Sequence, residues 1–233
     1  MLGVFVNTGT VILGSLIGLI FKRGIPTKMT DAVMLGIGLC TLVIGITGVL
    51  KGENPLVLIG AVVLGAIAGT ALDLDKRLNS LGERLGRRFK KEDGAASVAE
   101  GFVTASLLFC IGSMTIVGSL NSGLTGDHSM LFTKSLLDLV SSCILAASLG
   151  IGVIFAAAFV LVFQGAIVLL AQYLQPILTA SAINEMTCAG SLIILALGLN
   201  LIGVTKIKVA NYLPAIVFAP VFNWVSALIQ NNI

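Results

Sequence analysis

Eight apolar runs, each near the length at which a helix crosses a bilayer, take up most of this chain, at residues 3–21, 32–50, 56–74, 101–120, 131–149, 151–173, 185–204 and 211–230. A water-soluble core could not hide them, because 57% of the residues are hydrophobic and only 11% charged, with a mean hydropathy of +1.06. The expected fold is all-α: a polytopic transmembrane helix bundle forming a single membrane domain over residues 1–233. Runs five and six meet at Gly150-Ile151-Gly152 with no charged loop between them. If one of them enters the membrane without crossing, the eight spans become seven.

The basic residues decide between these counts, since cytoplasmic loops collect Lys and Arg. Lys22, Arg23 and Lys28 follow the first run; Lys76, Arg77, Arg84, Arg87, Arg88, Lys90 and Lys91 follow the third; Lys206 and Lys208 follow the seventh. Eight spans with both termini outside put all of these in the cytoplasm, whereas seven would place Lys206 and Lys208 outside. The first run has no basic segment ahead of it and no small-x-small cleavage site behind it, so it is expected to be a retained span. Four parts follow: a three-span unit over 1–74, a cytoplasmic linker over 75–98, a helical hairpin over 99–149 and a second three-span unit over 150–233.

Within the linker, Leu74, Leu78, Leu81, Leu85 and Phe89 recur at three- and four-residue steps among the basic residues. This pattern predicts an amphipathic helix whose residues 75–91 lie on anionic lipids of the inner leaflet. Glu83 and Arg87 are spaced to pair across one turn. No nucleic-acid partner is expected.

Two segments resemble each other across the chain. "VNTGTVIL" from Val6 set beside "VFQGAIVL" from Val162 matches Gly9 with Gly165 and Thr8 with Gln164, and "DAVMLGIGL" from Asp31 set beside "EMTCAGSLI" from Glu185 matches Gly36 with Gly190. Spans one to three would then correspond to spans six to eight. A shift of five spans, an odd number, makes such a repeat inverted, the architecture behind alternating access in many transporters. The weaker echo of "ITGVL" in "IVGSL", ending at Leu50 and Leu120, relates the neighbouring spans.

Polar groups inside the runs are the candidate site, since each is costly in hydrocarbon without a partner or a cavity. Lys134 and Asp138 stand four residues apart on one helix face, too deep for ordinary loop charges. The functional reading makes Asp138 a proton or cation site whose occupancy Lys134 modulates; the structural reading is a neutral pair or a snorkelling Lys. In run four, Ser113, Thr115 and Asn121 lie among Gly112, Gly118 and Gly123. Such a stretch either unwinds to free backbone groups for a ligand or lets helices pack closely. Asn7 and Thr8 in run one, Gln164 in run six, Asn200 in run seven and Asn211 in run eight offer further polar contacts. Pro214 and Pro220 predict a break in run eight. Asp31, Glu100 and Glu185 fall at run ends and read as boundary charges.

Other chemistry is thin. Cys40, Cys110, Cys143 and Cys188 are isolated, without zinc or disulfide spacing. His128 beside Asp127 is too little for a metal site or catalytic dyad. No phosphate loop, dinucleotide fingerprint or hydrolase motif is present, so neither an enzyme nor a cofactor is expected. The opening "NTGTVILGSLIGL", "IGSMTIVGSL" from Ile111, "KSLLD" from Lys134, the Gln164-Gly165 pair and "NYLPA" from Asn211 resemble the bacterial inner-membrane proteins grouped as domain of unknown function 554. The resemblance covers the whole chain and implies a multi-pass protein of the bacterial plasma membrane, in a family described either as uncharacterised or as transporters, and it implies no substrate. The expected function is secondary transport or export of a small polar solute or ion by alternating access, coupled to protons or sodium, by a protein expected to form homodimers. A channel, or a scaffold or sensor that recruits partners through the basic linker, would use the same residues.

Overall fold

Alternating runs of apolar residues and short polar breaks yield a succession of helices among the described residues. The computed structural model describes residues 1–22, 27–77, 80 and 95–230. The helices are α1 (Leu2–Lys22), α2 (Thr27–Val49), α3 (Pro55–Ala71), α4 (Ala95–Cys110), α5 (Ser113–Leu124), α6 (Ser129–Leu149), α7 (Gly152–Leu169), the short α8 (Ala171–Leu174), α9 (Ala180–Leu201) and α10 (Ala215–Gln230), with a 3-10 turn at Val209–Tyr212 before the last. No strand occurs among the described residues. Most of the predicted amphipathic linker helix, including Leu81, Leu85, Phe89 and the Glu83–Arg87 pair, lies outside the described residues.

Among the described residues, α1, α6, α7, α9 and the segment Val209–Leu228 are long and apolar enough to cross a membrane. The α4–α5 pair, bent by 61°, qualifies as one broken crossing, while Met34–Val49 and Pro55–Ala71 are apolar but shorter. Runs five and six are thus both full-length helices. The chain reverses between them at Gly150, whose φ of 78° closes α6 with its N–H on the Ala146 carbonyl. That backbone conformation suits glycine and explains why no polar loop is needed.

The chain folds as two compact units, Met1–Ile37 with Lys76–Gln172, and Gly38–Asp75 with Tyr173–Ile233. In the first, α1 and α6 run parallel. Gly3 meets Leu131 near their starts, Gly14 meets Ser142 and the Leu139 carbonyl, and Gly18 meets the Cys143 carbonyl. A Cβ at Gly14 or Gly18 would strike the α6 backbone, so these two glycines set how closely the helices approach. Helix α7 runs against α1: Val4, Leu131 and Val168 share a core cluster, and Asn7 bonds Gln164. The broken pair follows α7 along its length, with Gly152 against the Val98 carbonyl at one end and Gly123 against the Val168 carbonyl at the other.

In the second unit the part of α2 from Gly38 onward packs antiparallel on α9, with Gly45 against Leu195 and Gly198 against Leu42, and α3 packs antiparallel on α10, with Gly65 against Ala215 and Gly60 against Phe222. Ala61, Ala189, Ala215 and Ala219 form the core between α3, α9 and α10. Small side chains replace large ones here because apolar surface has no water to escape, and close contact supplies the cohesion. The expected break in run eight lies at residues 213–214, between the 3-10 turn and α10, with Pro220 accommodated inside the helix.

Glu185, expected at a boundary, is fully buried in this unit. Its Oε1 accepts the backbone N–H groups of Glu53 at 2.7 Å and Asn54 at 2.8 Å, while Oε2 has no partner. The turn before α3 is thereby fully matched: Asn54 caps the helix by accepting the Leu56 N–H, and Pro55 has none to satisfy. Beside it the exposed Glu53 carboxyl accepts from Asn184 at 2.8 Å and Ser181 at 2.9 Å, which holds it below the usual carboxylate range.

A buried charge pair at a broken helix

Helix α6 presents Lys134 and Asp138 to the interior of the first unit, one turn apart. The Lys134 Nζ lies 2.6 Å from Asp138 Oδ2 and 2.8 Å from Oδ1, with 8% and 7% of the two side chains exposed. Asp138 stands nine positions beyond Ser129, the start of α6, a depth of about 14 Å at 1.5 Å per residue. The pair therefore sits well inside the span, where two charges persist only if they neutralise each other.

Three other helices complete the site. From α1, the fully buried Asn7 lies beside Asp138 and donates from Nδ2 to Gln164 Oε1 of α7 at 3.3 Å. From α4, the Phe109 ring centroid lies 6.0 Å from Lys134 Nζ, and Cys110 is within electrostatic reach of both charges. The break between α4 and α5 follows immediately. Gly112 takes φ 150° and ψ 146°, a region open essentially to glycine alone, and no side chain caps the α5 N-terminus. The Thr115 hydroxyl donates to the Phe109 carbonyl at 3.0 Å, closing one of the backbone groups the break frees.

Run four both breaks and packs closely. The helix breaks at 111–112, and Gly118 and Gly123 in α5 pack on α6 and α7. A methyl group added at Gly112 would find nothing within 4 Å, so conformation alone demands the glycine. Gly112→Ala should lower stability by about 1–3 kcal/mol through backbone strain. Gly9→Ala is the control, because that helical site is equally open. Denaturant titration in mixed micelles checks the contrast, and equal stability of the two variants would remove the strained backbone from the account.

Several buried polar atoms have no partner: Asn7 Oδ1, Gln164 Nε2, and the hydroxyls of Ser15, Thr104, Ser106 and Ser119. All belong to this unit. Of the residues singled out in the sequence, Lys134, Asp138, Asn7, Gln164 and Thr115 come together. Ser113 begins α5, with its side chain outside the described residues. The Thr8 hydroxyl turns back to the Val4 carbonyl, and the half-buried Asn121 lies in the last turns of α5. Asn200 and Asn211 belong to the second unit, where they tie loops: Asn200 holds Thr205 and Ile207, and Asn211 Oδ1 accepts the Asp75 N–H. Phe109 carried no signal in the sequence, since one phenylalanine in an apolar run looks like any other. No cluster of three metal-ligating side chains occurs among the described residues.

The chain is similar to proteins from two bacteria. It is 36% identical over 225 residues to the "Uncharacterized membrane protein YdfK" of Bacillus subtilis, covering 95% of each chain. It is 32% identical over 222 residues to the "Uncharacterized protein YqgA" of Escherichia coli, covering 94% of each. No solved structure matches. The family model described as "Protein of unknown function (DUF554)" matches residues 2–224, essentially the whole helical bundle. The chain, a membrane protein by composition and by its spans, therefore belongs to the DUF554 family.

Proposed function

We infer that the protein is a secondary transporter of a small polar solute or ion, working by alternating access in the bacterial plasma membrane, and not an enzyme. The observation that carries this reading is the Lys134–Asp138 pair, buried at mid-span beside a helix broken at Gly112. Structural helices avoid both features, because each costs free energy in hydrocarbon. Transporters use them together, since a broken helix offers backbone groups to a ligand at mid-membrane.

Helix directions support eight crossings and an inverted repeat. In an eight-span chain α1 and α6 are crossings one and five, and they run parallel; α7 is crossing six, and it opposes α1. Crossings two and seven, α2 and α9, are antiparallel, as are crossings three and eight, α3 and α10. Each of spans one to three thus packs against its counterpart among spans six to eight. Antiparallel pairing of counterparts, found within each unit, is what an inverted repeat produces. With this count the basic loops share one side, the cytoplasm by charge, and both termini face outward.

The test begins with a melting-temperature screen of the purified full chain against ions and metabolites, where a ligand raises stability by mass action. Flux of the hit into liposomes then separates mechanisms. A carrier saturates and shows counterflow, whereas unitary currents would mean a channel. Asp138→Asn should abolish coupled uptake; unchanged uptake by that variant removes the pair from the transport site.

A further inference from the structure

We propose that the Lys134–Asp138 centre takes one small monovalent anion together with one proton, an assignment that rests on the transporter reading of the same site. The first argument is charge balance. The pair is neutral, and among the described residues the helices packed on it bring few other titratable groups: α5 and α7 contain none, α1 has the Met1 amine ahead of its start and Lys22 at its far end, His128 precedes α6 six positions before Lys134, and α4 brings Cys110 near the pair and Glu100 more than two turns away. An ion that engages one partner releases the other. That partner must then change protonation state, or a net charge stays buried.

An anion would engage the Lys134 ammonium and leave Asp138 to gain a proton. A cation would engage Asp138 and require Lys134 to lose one. The buried atoms without partners separate the two cases. Gln164 Nε2 is a fully buried donor with no acceptor, which an anion satisfies and a cation does not. Asn7 Oδ1 is a fully buried acceptor with no donor, on a side chain that already contacts Asp138. The O–H of protonated Asp138 is the donor it lacks. Phe109 adds to the same side, because a ring facing Nζ favours the charged ammonium over the neutral amine that cation binding demands. The uncapped α5 N-terminus at Gly112 likewise offers N–H donors.

The cycle balances. The ion pair opens, an O–H bond forms on Asp138, and Lys134 keeps its three protons and pairs with the anion. Anion and proton leave together on the far side and the ion pair closes again. The site is neutral at every stage, so the coupled step moves no net charge.

The experiment is calorimetric titration of the full-length protein, purified in sodium gluconate, with sodium chloride, sodium lactate and sodium dihydrogen phosphate. Buffers of different ionisation heat count the protons, and choline chloride replaces sodium chloride to isolate the cation. At least one anion should bind with one proton taken up, and its affinity should fall about ten-fold per pH unit as pH rises above the free carboxyl's range. Asp138→Asn should bind the same anion without proton uptake or pH dependence, and Lys134→Met should bind none. Gln164→Leu should weaken binding about ten-fold, the loss of one hydrogen bond to an anion. If Asp138→Asn folds poorly, its melting temperature should rise on adding the anion, while Lys134→Met/Asp138→Leu folds and shows no rise.

Binding that follows sodium and vanishes with choline, proton release in place of uptake, or no binding by any of the three anions overturns the proposal. Liposome flux distinguishes it from the broader reading. Anion binding with a proton but without flux leaves the anion site and removes the transporter; saturable flux of a solute without proton movement does the reverse.

Discussion

Asp138→Asn should destabilise the protein by about 3–5 kcal/mol, because it removes one partner and leaves Lys134 charged and unmatched inside the span. The geometry makes this among the largest effects expected of a near-isosteric change. Both carboxylate oxygens lie within hydrogen-bonding distance of Nζ, and neither side chain is more than 8% exposed. Lys134→Met should cost a similar amount, since it strands the carboxylate instead. The double variant Lys134→Met/Asp138→Leu should recover most of the loss, because a neutral apolar pair of similar volume needs no compensation. Unfolding in mixed micelles, measured for these three and for Asp138→Leu alone, forms the cycle. If the single variants are as stable as the double, the charges do not depend on each other and the buried pair loses its structural meaning.

The eight runs, and the depth of Lys134 and Asp138, were legible because they depend on local composition and on the period of one helix. Two opposite charges four residues apart inside an apolar run lie on one face and can meet without help from any other helix. The break in α4–α5 was only half legible. Gly112, Gly118 and Gly123 share one residue type, but the first supplies a backbone conformation and the others supply close packing, and only the neighbouring helices separate these uses. The amides divided for the same reason. Asn7 and Gln164 face each other across two helices that are 157 positions apart in the chain, whereas Asn200 is consumed by a loop that begins a few residues later. Nothing in either amide's own sequence neighbourhood distinguishes those fates. Glu185 is the clearest difference: a glutamate near a run end suggests water nearby, yet the turn at Glu53 and Asn54 folds over it and supplies two N–H donors from more than 130 positions away.

Glu185→Ala is therefore expected to cost about 3–5 kcal/mol, the loss of two short hydrogen bonds plus the space left by a fully buried side chain. The hydrogen bonds at this turn make the prediction specific. Asn54 already uses its side-chain oxygen on Leu56, and its amide nitrogen bonds Ser226, so neither can replace Glu185 for the N–H groups of Glu53 and Asn54. Glu185→Gln keeps an acceptor of the same length and should cost only about 1–2 kcal/mol. Asn54→Ala removes the cap of α3 and should cost about 1 kcal/mol. The order of the three variants is thus Glu185→Ala, then Glu185→Gln, then Asn54→Ala. Micelle unfolding measures it, and limited proteolysis reads the same turn directly, because its N–H groups lose their anchor only in the alanine variant. Glutamine and alanine variants of equal stability and equal protease resistance would show that Glu185 fills space at the turn without holding it.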